Sequence, residues 1–248
     1  INIISSDLPG TKLASDPRYA RTLEVMTILR TLLAGSPIDH HGEFYDLTLD
    51  APRIAGDRAA ARQMAGLPVT PLLYFGGLSE PARDVAAQAA DVYLMWPDTM
   101  AEIAAIIADM RARAVRHGRT LRLGYRTHII VRETEAEARA AATRLLSHLD
   151  AAEGEAIRNR SLDSSSTGVS RQAELRDSSD DDGYIEEHLW TGIARARSGC
   201  GAAIVGDPDQ VVAKLRAYMA LGIDAFILSG YPHLAECDLV AKHVLPAL

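Results

Sequence analysis

Residues 121–134 read Leu-Arg-Leu-Gly-Tyr-Arg-Thr-His-Ile-Ile-Val-Arg-Glu-Thr, and the fold turns on this stretch. From 121 to 131 it alternates and is rich in Ile and Val, as a buried strand does. Thr134 then stands three residues before Glu137, the capping-box pattern that opens a helix. A strand running into a helix is one βα unit. Side chains alternate along a strand, so Arg122, Gly124, Arg126, His128 and Ile130 share one face. Burying Arg126 and His128 in an apolar strand is costly unless they meet a partner or an anionic ligand. One reading is structural, with Arg126 paired to a buried acid and His128 bonded to backbone. The other is a site, because a guanidinium offers a planar fork to a carboxylate, phosphate or sulfonate, and a nearby His can supply a proton.

Outward from this stretch the same unit recurs. Short apolar runs bounded by Gly or Pro predict strands at 1–4, 72–75, 92–96 and 225–229. Helical spacing predicts helices over 19–34, 80–90 and 100–117, with Gly118 as a stop. Asp207-Pro208, with Gln210 following, opens another, and 234–244 closes the chain. Strands alternating with helices imply a mainly parallel α/β sheet. No Gly-rich dinucleotide or Walker A loop follows an early strand, which favours a (β/α)8 TIM barrel over a doubly wound sheet. The whole of 1–248 reads as one domain with two interruptions. Residues 41–49 resemble a small β-hairpin arm. Residues 162–183, rich in Ser, Asp and Gly, read as a linker or an active-site lid, and the resumption of apolar patterns favours a lid.

Composition narrows the function classes. With 248 residues, 48% hydrophobic and 24% charged, the chain is an ordinary globular sequence rather than a disordered one, a coiled coil or a collagen. A net charge of −7 argues against nucleic acid as a partner, and no apolar run is long enough to be a membrane span. Cys200 and Cys237 make no disulfide framework or metal spacing, so a reducing, cytoplasmic setting is expected. The first residue is Ile1, inside an apolar run, which reads as a start in mid-domain.

Several short stretches could carry chemistry. Leu228-Ser229-Gly230-Tyr231-Pro232-His233 ends the last strand, where barrels keep their active sites, and Tyr231 is a candidate hydrogen-bond donor. Gly76-Gly77-Leu78-Ser79 joins a strand to a helix, and a helix N-terminus with Ser79 favours an anion. Asn2, Ser5 and Ser6 form a similar polar cluster. His40-His41 lacks ligand partners at metal spacing. Cys200 sits in a Gly-flanked loop read as flexible, with no base close in sequence. Asp180 to Asp182 read as a solvated run and the Trp residues as packing groups.

Taken together, the stretches resemble the bacterial luciferase-like flavin monooxygenases, and within them the two-component FMNH2-dependent alkanesulfonate monooxygenases. The pieces that carry this are Asn-Ile-Ile-Ser-Ser at 2–6, Arg-Tyr at 18–19, Tyr-Phe-Gly-Gly at 74–77 and Asp-Val-Tyr-Leu-Met-Trp at 91–96. Arg-Thr-His-Ile-Ile-Val-Arg-Glu-Thr at 126–134, Ser-His-Leu-Asp at 147–150, Leu-Trp-Thr-Gly at 189–192 and the run 221–234 add to them. The resemblance implies reduced FMN, delivered by a separate NAD(P)H-dependent FMN reductase, and O2 as co-substrate. It implies oxidation of the carbon bearing a sulfonate, with an aldehyde and sulfite as products, in a homo-oligomer. By the same resemblance, Arg126 and His128 are a cationic pair at the reacting centre, and Tyr231 is a hydroxyl holding flavin or substrate. Arg197 closes over the flavin, Asn2 and Tyr19 are flavin-side residues, and Ser79 binds phosphate. Against the family pattern, Gly77-Leu78-Ser79 replaces Gly-Gly-Ser-Ser. The first three βα units of the family have no counterpart, so the chain reads as about five of eight units. The alternatives are a relative acting on another sulfur compound, an F420-dependent oxidoreductase, or a truncated chain without catalysis of its own.

Overall fold

The structure is a computed structural model that describes residues 1–4, 15–159 and 166–248. In chain order the elements are β1 (Asn2–Ile3), α1 (Ser15–Leu33), β2 (Ile38–His41), β3 (Asp46–Leu49), α2 (Arg53–Met64), β4 (Tyr74–Phe75) and α3 (Glu80–Ala89). Next come β5 (Val92–Met95), α4 (Met100–Arg116), β6 (Arg122–Val131), α5 (Glu135–Leu145), α6 (Ala151–Asn159) and α7 (Thr167–Asp177). The chain ends with β7 (Tyr184–Glu186), β8 (Leu189–Trp190), α8 (Ile193–Ala196), β9 (Ala203–Gly206), α9 (Pro208–Leu221), β10 (Ala225–Ser229) and α10 (His233–His243). These elements form two compact units, Ile1–Tyr93 with Met110–Leu121, and Leu94–Asp109 with Arg122–Leu248.

In the first unit, β1, β4 and β5 run parallel, with Asn2 opposite Tyr74 and Tyr74 opposite Val92. The core here is Met26, Leu73, Phe75, Ala86, Val92 and Tyr93. Helix α3 turns Ala82, Val85 and Ala86 inward at helical spacing. Arg113 fastens that helix through ion pairs of 2.5 Å to both Glu80 and Asp84. The expected hairpin arm forms from β2 and β3, antiparallel, and starts at Ile38 rather than His41. Its turn is held by the Glu24 carboxylate, which accepts from the backbone N–H groups of Glu43, Phe44 and Tyr45.

In the second unit, β6 is the central strand. It pairs in parallel with β10, placing Ser229 opposite His128, and with β9, placing Ala203 opposite His128. Strand β8 continues antiparallel to β9, and β7 to β8. Ile130, Ala138, Trp190, Ile193 and Val205 make its core. Both expected capping boxes form, at Thr134 with Glu137 and at Asp207 with Gln210.

One sequence expectation changes. Ala203–Gly206 is a sixth parallel strand among the described residues, where the sequence reading counted five. Its four residues lie between a Gly-Cys-Gly loop and a helix cap, too short a run to show periodicity. The polar stretch 162–183 lies partly outside the described residues, and Thr167–Asp177 within it is helical. Ser166 caps that helix by accepting from the Val169 N–H, and only Gln172 and Leu175 are buried on it. Two buried positions are too few to raise an amphipathic signal above the polar composition. Among the described residues, no helix is long and apolar enough to cross a membrane.

Candidate active site

Strand β6 carries His128 into the second unit, where the ring is 1% exposed. Its Nε2 lies 3.2 Å from the Cys200 carbonyl oxygen. A carbonyl can only accept, so Nε2 carries the hydrogen and Nδ1 is left bare. That Nδ1 is buried and has no hydrogen-bond partner among the described residues. Burial, then the Arg197 guanidinium, push the His128 pKa down to about 4; Arg126 and His233 add to this, and the Cys200 carbonyl opposes it. The imidazole is therefore neutral at pH 7. The positive charge beside the ring comes from Arg126 and Arg197, the first of them the expected partner of His128.

The loop after β10 supplies the next group. The Tyr231 ring stacks on His128, with centroids 5.4 Å apart and planes 26° from parallel. Its hydroxyl accepts a hydrogen bond of 2.9 Å from Arg197 Nη1. Arg197 follows α8 and also donates through Nε to the Ser198 carbonyl. Neither Arg126 nor Arg197 has a carboxylate partner among the described residues. Two half-buried guanidiniums without a counter-charge among the described residues favour an anion.

Cys200 is buried at 1% exposure rather than sitting in a loose loop. Its Sγ donates to the Arg126 carbonyl over 3.4 Å. Burial pushes its pKa up to about 12, against the pull of Arg126 and Arg197. A thiol so held is no nucleophile at neutral pH. What Cys200 contributes is its carbonyl, a backbone role that leaves no trace in side-chain identity.

The first unit holds a separate constellation. Gly77 has a φ of +146°, and a Cβ there would lie 2.7 Å from the Ala82 Cβ, so only glycine fits. The Tyr93 hydroxyl donates to the Gly77 carbonyl at 2.8 Å. Buried Tyr19 packs edge-on against Phe75 and places its hydroxyl 3.6 Å from where that Cβ would be. Ser79 is the N-cap of α3, yet its hydroxyl makes no capping bond. The Ser79 Oγ is buried without a partner among the described residues. A spare hydroxyl at a helix N-terminus suits a phosphate oxygen. The Tyr19 hydroxyl thus lies near the turn that ends at Ser79, whereas Asn2 lies exposed on β1. Ser5 and Ser6 lie outside the described residues.

The luciferase-like monooxygenase family model matches residues 9–225, and the chain belongs to that family. It is 62% identical, over 99% of its length, to the sulfoquinovose monooxygenase of Novosphingobium aromaticivorans, and 48% identical over its whole length to that of Agrobacterium fabrum. The chain spans 66% and 63% of those two proteins. Among solved structures it resembles the EDTA monooxygenase of Chelativorans sp. BNC1, with a TM-score of 0.67 at 18% identity over 94% of this chain and 60% of that one. A long-chain alkane monooxygenase gives 0.68 at 18% identity over 96% and 57%. These neighbours speak to the fold, and the fold class is the α/β TIM-barrel expected from the alternation, of the luciferase-like type that the resemblance implied.

Proposed function

We propose that the chain belongs to a flavin-dependent monooxygenase that removes sulfite from a sulfonated sugar of the sulfoquinovose type. The observation that carries this reading is the arrangement around His128: Arg126 and Arg197, without a carboxylate among the described residues, beside an imidazole nitrogen that is buried and has no partner among them. A sulfonate is a permanent anion that needs fixed cationic donors, and the two guanidiniums provide them. His128 Nδ1 can accept a hydrogen bond or a proton, and Tyr231 can orient a hydroxyl. The polar surroundings of the ring, with Arg197, Tyr231 and His233, suit a hydroxylated substrate better than an alkyl chain. Identity of 62% to a sulfoquinovose monooxygenase points the same way and moves the substrate from an alkanesulfonate to a sugar sulfonate.

The residues fit a phosphate-bearing flavin. The Ser79 hydroxyl at the N-terminus of α3, without a partner among the described residues and with Gly77 and Tyr19 near the same turn, would hold the phosphate end of FMN. When bound, reduced FMN would supply the electrons that activate O2 to oxidise the carbon bearing the sulfonate, leaving an aldehyde and sulfite. An NAD(P)H-dependent FMN reductase is the partner this chemistry requires.

Sulfite release tests the reading. The protein, a reductase, FMN and NADPH are incubated with sulfoquinovose or with a series of alkanesulfonates. The sugar sulfonate is expected to give a kcat/KM at least about tenfold above any alkanesulfonate. A preference for alkanesulfonates would reject the sugar, and no sulfite from any sulfonate would reject the activity.

A further inference from the structure

We propose that Gln172 is a positioning residue for His128, acting from helix α7 through the Gly201 amide and the Cys200 carbonyl. The proposal deepens the reading of the His128 site, but its first readout needs no substrate. Gln172 is only 4% exposed, and its side chain bridges two backbone groups that are distant in sequence. Its Nε2 donates to the Pro97 carbonyl at 2.7 Å, and its Oε1 accepts from the Gly201 N–H at 2.9 Å. Gly201 adjoins Cys200, whose carbonyl accepts from His128 Nε2. One residue further, the Ala202 carbonyl accepts from the His128 backbone N–H and from the Thr127 hydroxyl, at 3.1 and 3.2 Å. The strip 200–202 is therefore gripped by β6 on one side and by Gln172 on the other.

A primary amide is the uncharged side chain that donates and accepts at the same end, so Gln172 joins a carbonyl to an N–H without burying charge. Its place on the helix is fixed by its neighbour. Arg171 makes two bonds, 2.7 and 2.9 Å, to the buried carboxylate of Asp98, the residue next to Pro97. The strip has little room to adjust, because a Cβ on Gly201 would come within 2.7 Å of the Ala194 Cβ. A shift of the Gly201 amide must therefore turn the Cys200 carbonyl and release the hydrogen on His128 Nε2.

Four single variants of the full chain, Gln172→Met, Gln172→Asn, Gln172→Glu and Leu175→Ala, test this with histidine nitrogen NMR. In the wild type, His128 is expected to hold one tautomer, protonated at Nε2. Gln172→Met keeps the shape and loses both bonds, and Gln172→Asn falls one methylene short of bridging them. Both are expected to give mixed tautomers, the Asn variant less so, with sulfonate kcat/KM falling about tenfold in the Met variant. Gln172→Glu is the rescue. Buried there as the neutral acid, it donates to Pro97, accepts from Gly201 and restores the single tautomer. Leu175→Ala removes buried packing from the same helix, and is expected to lower stability without changing His128. A wild-type tautomer in folded Gln172→Met or Gln172→Asn overturns the proposal, as does an equal change in Leu175→Ala. A tautomer change without sulfite release from the wild type would reject the proposed activity and leave the positioning role standing.

Discussion

At neutral pH the His128 imidazole is uncharged, because burial and the Arg197 guanidinium hold its pKa down from 6.5 to about 4. The unfolded chain takes up this proton as pH falls below 6.5, while the folded protein resists it until about 4. The stability linked to His128 is thus fully present above pH 6.5 and is lost as pH falls toward 4, by up to about 3 kcal/mol. In urea denaturation at pH 7 and pH 4.5, His128→Gln is expected to show a visibly shallower loss than wild type. Equal slopes would mean that His128 titrates normally. Alternation along 121–131 is enough to bring Arg126 and His128 to one face. It could not give the ring its charge, because that depends on Arg197 and on the Cys200 carbonyl, each about seventy residues away.

Among the elements, α10 depends on one buried carboxylate. Glu236 is 1% exposed, pairs with Arg132 at 2.7 Å and accepts from the Val131 N–H. It thereby fixes the helix after Tyr231 to the end of β6, and its Cβ lies so near Gly230 that a side chain there would clash at 2.3 Å. Arg132→Met would leave that carboxylate buried without its cation, an expected loss of about 3–5 kcal/mol. Replacing Arg132 and Glu236 together by apolar residues of similar size is expected to recover most of it. Chemical denaturation of the two variants decides, and equal losses would show that the pair is not coupled. The elements legible beforehand are those specified locally. Thr134 with Glu137 and Asp207 with Gln210 satisfy orphan N–H groups within a few residues, so sequence alone announces them. Strand β9 and helix α7 owe their form to distant partners, β6 for one and Asp98 with Pro97 for the other.

For the molecule as a whole, an anion bound by Arg126 and Arg197 must stabilise the folded state through mass action. At about a hundredfold above its Kd, sulfoquinovose is expected to add about 2.7 kcal/mol, or about 5–10 °C in Tm for a chain of this size. The double variant Arg126→Ala, Arg197→Ala is expected to show no such rise in a thermal-shift titration. A rise equal to that of wild type would place the sulfonate elsewhere. The candidate site was half legible at this scale. The Tyr19 hydroxyl comes near the Gly77 turn that leads to Ser79, and His128 stacks on Tyr231, each pair within its own unit. The role proposed for Gln172 was hidden in a polar segment whose composition suggested a linker or a lid.

By itself the sequence determined the α/β alternation, the helix starts and the family, because these rest on periodicity, on caps only a few residues long, and on motifs in order. It also placed Arg126 and His128 on one strand face. Only the tertiary structure decided that His128 is neutral, that Cys200 acts through its carbonyl, and that Arg126 and Arg197 lack counter-ions among the described residues. Charge state and hydrogen-bond partnership are set by burial and by neighbours distant in sequence, and these come together only when the chain folds.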